Sequence, residues 1–240
     1  MTSLIAVYTT RAGQTSTHWA ACLAWTLAER HRVMLVDCDM EGGTLADLLL
    51  LATGHRNIAN CFGDRAAAAL ELQEQAVVHP GRETLRVIPG LVRSYGYEIT
   101  ECLARIGPAL RDVDSDIVVA DLGHPLSHPG LRSPRTAAEA ICSVFGRCFV
   151  VMRDDPALLA RSISVLLAAR PPHGEIVLCR QYGRTYRALV GESLQRNIPE
   201  LPVRDVWSWD EARARQMGES GIPATLPGVD RQLLLTPLPA

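Results

Sequence analysis

The chain has 240 residues, of which 48% are hydrophobic and 21% charged, which suits one globular α/β domain spanning 1–240 and leaves no surplus for a second of ordinary size. A net charge of −2 excludes a global basic field that would draw the protein to nucleic acid or acidic lipid, so any such contact has to be local. All 24 positive side chains are arginines, because lysine is absent.

In chain order, short β-rich apolar runs alternate with helical stretches. Strands are expected at Leu4–Thr9, Val33–Asp37, Leu85–Pro89, Asp116–Asp121, Cys148–Met152, Glu175–Cys179 and Pro202–Val206. Helices are expected at Thr17–His31, Thr44–Thr53, Ala66–Gln75, Glu98–Arg111, Arg135–Phe145, Pro156–Ala169, Thr185–Arg196 and Asp210–Ser220. This alternation predicts a three-layer α/β fold with a mostly parallel sheet and helices on both faces. The strands are almost wholly apolar, as burial on both faces requires. Residues 221–240 are rich in proline and leucine, without a clean helical period, and are expected to form an irregular tail.

The seven cysteines (Cys22, Cys38, Cys61, Cys102, Cys142, Cys148, Cys179) are odd in number and lack a CxxC pair. That pattern predicts reduced thiols in a cytoplasm, and neither a disulfide framework nor a zinc site. Met1 to Tyr8 has no signal-peptide pattern, and no apolar run approaches the roughly 20 residues that span a bilayer.

Ligands of open α/β sheets bind at the carboxyl ends of the strands, and after the first strand the sequence runs Thr9-Thr10-Arg11-Ala12-Gly13-Gln14-Thr15-Ser16-Thr17-His18 into a helix. This segment resembles the variant phosphate-binding loop KGGxGKTT of the ParA/MinD family of P-loop ATPases, the SIMIBI class, in a degenerate form. Residue by residue, Arg11 falls on the signature lysine, Ala12 and Gly13 on the glycine pair, and Gln14 on the variable position. Thr15 falls on the third glycine, Ser16 on the second lysine, and Thr17 on the magnesium-binding hydroxyl. A working loop holds phosphates with backbone N–H groups and a helix N-terminus while its lysine neutralises their charge. Ser16 supplies no charge, and Thr15 adds a Cβ where the backbone needs freedom. A bland alternative is that Thr15, Ser16 and Thr17 only cap the helix.

The second strand ends in Asp37-Cys38-Asp39-Met40-Glu41-Gly42-Gly43, which resembles the family's DxD segment and is nearest in flavour to its TadZ/CpaE members. The resemblance gives Asp39 the task of orienting an attacking water and Asp37 that of supporting the magnesium shell. Asp116–Pro125 resembles the Walker B strand, with Asp121 as a magnesium-holding carboxylate. Cys179 stands where family members carry a base-reading asparagine, and Trp207, Ser208, Trp209 and Asp210 match the segment near the base. Arg180, Arg184 and Arg187, with Tyr182 and Tyr186, form a local basic and aromatic cluster that is either a DNA contact or a solvated helix start. His124 and His128 flank a proline-rich loop beside Asp121; their spacing fits no familiar ligand pattern.

Together these residues imply a cytoplasmic positioning, partitioning or scaffold protein. ATP and magnesium would bind weakly, with little or no hydrolysis. The chain would pair with itself or with an intact paralogue, and would bind a protein partner. Two alternatives stay open: a slow ATPase in which Arg11 replaces the missing charge, and an interaction module with a vestigial site.

Overall fold

The computed structural model describes residues 2–62, 66–91, 98–127, 131, 133–180, 187–208 and 210–226, with the backbone alone for 180, 187–189 and 204–208. Its eight strands are β1 (Ser3–Tyr8), β2 (Val33–Asp37), β3 (Val77–His79), β4 (Arg82–Ile88), β5 (Ile117–Asp121), β6 (Arg147–Arg153), β7 (Glu175–Arg180) and β8 (Val203–Ser208). They form one sheet in the order β3-β4-β2-β5-β1-β6-β7-β8. Every pair is parallel except β3–β4.

The helices are α1 (Ser16–Leu27), α2 (Leu45–Leu48), α3 (Ala69–Gln75), α4 (Ile99–Asp112), α5 (Pro134–Val144), α6 (Pro156–Ala169), α7 (Arg187–Asn197) and α8 (Glu211–Ser220). Period-two alternation along the strands sorts them into two layers. From β1, Ile5 and Val7 face the core shared with α1, Leu45 of α2 and Met217 of α8. Leu4, Ala6 and Tyr8 face the opposite core, filled from α3, α4, α5, α6 and α7. The three-layer expectation is thus met, and each anticipated strand and helix has a counterpart.

Three local differences have physical causes. The edge strand β3 was not anticipated; it is a three-residue antiparallel strand, too short to show a period. A 3-10 turn at Ile58–Cys61 likewise carries no pattern. Helix α2 stops at Leu48 rather than running to Thr53, because Leu50 turns left-handed at φ 50°.

α1 is buried on nearly all sides, from Trp19 to Leu27. Part of its cover comes from the start of the tail. Leu226 is buried, its N–H donates to Thr26 Oγ1 at 2.8 Å, and the Gly221 carbonyl lies 2.9 Å from His79 Nε2. Among the described residues no helix is long and apolar enough to cross a membrane.

Candidate functional site

The strands β2, β5 and β1 lie side by side at the centre of the sheet, and their carboxyl ends bring together the loop 9–15, Asp37–Asp39 and Asp121. Register sets this arrangement: Asp37 pairs with Asp121, and Asp121 with Val7. Backbone bonds carry it past the strand ends, with Thr9 N–H donating to Gly123 O at 2.9 Å and Cys38 N–H to Asp121 O at 2.7 Å.

The loop after β1 makes a tight turn with two left-handed residues before α1 begins. Gly13 has φ 78°, and Thr15 takes φ 68°, ψ 17°, a left-handed conformation at the position where the family has glycine. Gln14 is buried and fastens the loop from the side. Its Nε2 donates to Thr10 Oγ1 at 3.1 Å and its Oε1 accepts the Arg153 N–H at 3.1 Å, while Thr10 Oγ1 donates to Ser162 Oγ of α6 at 2.9 Å. The sequence marked Gln14 only as the variable position; its clamp depends on Thr10 and Ser162, far apart in the chain.

Opposite the loop lies an open cleft of about 730 Å³. Ala12 to His18, Asp39, Glu41, Asp47, Gly123 and His124 contribute to its wall. Of the expected loop residues, Ala12, Gly13, Gln14, Thr15, Ser16 and Thr17 line it, and Arg11 does not. Arg11 is half-buried, and its Nη1 is buried with no hydrogen-bond partner. The nearby Arg153 is also off the wall, its Nη1 donating to the Gly13 carbonyl at 3.3 Å. The charged side chains on the wall are therefore Asp39, Glu41 and Asp47, with His18 and His124. Burial lowers the His18 pKa, so this ring is neutral at pH 7. His124 Nε2 lies 3.1 Å from Glu41 Oε2.

The three aspartates do different things. Asp39 is half-buried on the wall, accepts the Glu41 N–H at 3.0 Å, and rests against Gly123, where an added Cβ would meet its Cγ at 2.5 Å. Asp121 is buried. Its Oδ1 accepts the Gly123 N–H at 3.2 Å, and the Thr17 hydroxyl reaches toward the carboxylate and favours its ionised form, yet Oδ2 completes no hydrogen bond. Burial, with the charge of Asp39, lifts the Asp121 pKa to about 6.

Asp37 was expected beside the metal, but it is buried off the cleft wall. Its oxygens accept the N–H groups of Leu45 at 3.0 Å and Asp39 at 3.2 Å, and the carboxylate fits against Gly43 and Gly90, where a Cβ would collide at 2.4–2.7 Å. It braces the β2–α2 loop. Burial first, and then Asp121, push its pKa to about 8.

These donors fit a divalent cation. An orphaned carboxylate oxygen at Asp121 beside the Thr17 hydroxyl is a hard oxygen pair of the kind magnesium takes. The fit to a polyphosphate is partial: the turn and the α1 N-terminus offer backbone N–H groups, but among the described residues no arginine shares the wall with three carboxylates.

Cys179 is buried and faces the Thr15 side chain, not the cleft; burial lifts its pKa to about 11. Of the basic cluster, Arg184, Tyr182 and Tyr186 lie outside the described residues, as do Trp209 and His128, while Arg180 ends β7 and Arg187 begins α7. The cysteine pattern held a further surprise. Cys142 and Cys148 come within 4.0 Å of each other, next to His173. Cysteines without a CxxC pair in the sequence are thus neighbours in space, because the turn between α5 and β6 folds the pair together.

The structure is a three-layer α/β fold whose central parallel sheet carries a left-handed turn after β1 and a buried aspartate at the end of β5. More narrowly, it is the fold of MinD and of ParA-family ATPases. The septum site-determining protein MinD of Pyrococcus horikoshii, complexed with Mg-ADP, is similar at TM-score 0.65 and 19% identity, over 93% of this chain and 87% of that one. A ParA-family ATPase of Chlorobium tepidum is similar at TM-score 0.70 and 18% identity, over 92% and 90%. The Aquifex aeolicus MinC:MinD cell division complex gives TM-score 0.68 at 14% identity, over 92% and 86%. No protein-family model and no curated protein matches the sequence.

Proposed function

We propose that this protein is a cytoplasmic positioning or scaffold protein of the ParA/MinD type, which works as a dimer on a protein partner. Magnesium and nucleotide bind weakly, and hydrolysis is slow or absent. One observation carries this reading: the loop after β1 lines an open cleft that presents three carboxylates and, among the described residues, no arginine. Thr17 and Asp121 would hold magnesium, which supplies charge neutralisation to phosphate oxygens when bound. Losing the lysine's charge-assisted bond costs about 1.5–3 kcal/mol. The structural likeness to a MinD described as septum site-determining, and to a MinD in complex with MinC, supports the positioning role and the protein partner.

Arg11 favours a second reading. A guanidinium nitrogen buried beside the loop without a partner is a charge held in reserve, and a slow ATPase would use it in the lysine's place. Titration of a fluorescent ATP analogue with magnesium tests both. Saturable binding in the high micromolar range without turnover supports the first reading. Turnover abolished by Asp39→Ala and by Arg11→Ala establishes the second. Absence of saturable binding up to millimolar leaves only an interaction module, and a dimer that persists in light scattering without ATP accords with it.

A further inference from the structure

Cys142 stands in the last turn of α5, Cys148 is the second residue of β6, and His173 lies in the turn between α6 and β7. All three sit at the amino-terminal edge of the parallel strands, the end of the sheet away from the phosphate loop. Cys142 Sγ and Cys148 Sγ are 4.0 Å apart, Cys148 Sγ is 3.9 Å from His173 Nε2, and the three donor atoms lie within 4.8 Å of one another. A fourth polar atom completes the group: the Phe145 carbonyl oxygen is 3.1 Å from His173 Nε2 and 3.9 Å from Cys148 Sγ.

With Zn–S near 2.3 Å and Zn–N near 2.0–2.1 Å, donors on adjacent corners of a tetrahedron stand about 3.5–3.8 Å apart. The Cys142–Cys148 and Cys148–His173 separations exceed that by a few tenths of an ångström, and the third pair lies within 4.8 Å, so side-chain rotation is needed to close the site. We propose that Cys142, Cys148 and His173 form a zinc site, its fourth position on the side of the Phe145 carbonyl and filled by that oxygen or by water.

The chemistry of the donors selects this ion. Two thiolates and an imidazole are soft to borderline ligands, suited to zinc and unsuited to magnesium or calcium. Cys142 and His173 are half-buried, so an ion can reach them from solvent, whereas Cys148 is buried. Zinc takes both sulfurs as thiolates, so loading releases their protons to solvent. Loading also moves the imidazole proton to Nδ1, freeing Nε2 from the Phe145 carbonyl. A bound ion would tie α5, β6 and the α6–β7 turn together without touching the cleft.

The test uses the full chain, reduced with a non-thiol reductant, and cobalt(II) as a spectroscopic stand-in. The expected result is about one cobalt per chain, with a thiolate-to-metal charge-transfer band that zinc bleaches. Cys142→Ser and His173→Gln, both half-exposed positions, should each weaken zinc binding more than about tenfold, whereas Asp121→Asn should leave the band intact. Should either variant misfold, X-ray absorption of the zinc-loaded native chain decides: a shell with about two sulfurs supports the site. Absence of the band from the native chain, its survival in both folded variants, or a shell of oxygen and nitrogen alone overturns the proposal.

Discussion

Replacing Thr15 by glycine and Ser16 by lysine should convert the cleft from a repellent to an attractive one for phosphate. Thr15 holds φ 68°, a conformation that costs an L-residue about 1–2 kcal/mol and glycine nothing. Against this, glycine returns about 0.4–1 kcal/mol by loosening the unfolded chain. The single change Thr15→Gly should therefore leave stability unchanged or raise it by up to about 1.5 kcal/mol, read from a urea midpoint. Ser16 is the first residue of α1, buried but on the cleft wall, so a lysine there would have to extend into the cleft, toward the wall that carries Asp39, Glu41 and Asp47. A charge-assisted bond of about 1.5–3 kcal/mol corresponds to roughly a 10- to 150-fold gain in affinity. The assay is fluorescent-ATP titration with magnesium on the native chain, each single variant and the double variant. Adding Asp121→Asn to the double variant should remove much of the gain if magnesium bridges to the phosphates. A folded double variant with native affinity would refute the reasoning, since the loop would then not be aimed at a phosphate.

Other outcomes follow from the same neighbourhood. Gln14→Ala leaves the Arg153 N–H without its acceptor and empties the contacts to Thr10, so stability should fall by about 1–3 kcal/mol in urea unfolding. Gly123→Ala places a Cβ 2.5 Å from Asp39 Cγ at φ 60°, which should cost about 1–3 kcal/mol; native stability in that variant would mean that Asp39 does not rest there. Asp37 gives a pH dependence. Its folded pKa of about 8 lies above the ordinary 3.8, so between those values the folded chain keeps a proton that the unfolded chain has released. Stability from this group is complete below about pH 4 and declines as pH rises toward 8, by at most about 1.4 kcal/mol per unit. Asp37→Asn should flatten that slope in chelator-treated protein; parallel slopes would contradict it.

Much of the fold was legible because its strands are buried on both faces and therefore apolar without interruption. Val33–Asp37 was located to the residue, and Pro156–Ala169 was too, marked by Asp155 and Pro156 at its start. The tight turn after β1 was legible from Gly13. Where side chains point was not. Asp37 and Asp39 look equivalent in sequence, yet only Asp39 reaches the cleft, because Gly43 and Gly90 make a niche for Asp37. Arg11 and Arg153 supply charge beside the loop but not on the cleft wall, a distinction of direction that spacing cannot carry. Cys142, Cys148 and His173 meet through the fold of two turns and follow no local motif.

The clamp at Gln14 bears on how the protein could signal. A loop already fastened to Thr10 and Arg153, with Thr10 tied to Ser162, has surrendered its freedom before any ligand arrives. Binding there spends little on ordering and so sends little news of itself through that side of the sheet. The message that a site is filled would have to travel through the facing wall, where His124 Nε2 lies against the Glu41 carboxylate and Asp39 rests on a glycine. In such a molecule the loop after β1 is the fixed jaw, and what the far wall can offer is the exposed Glu41 beyond the braced Asp37.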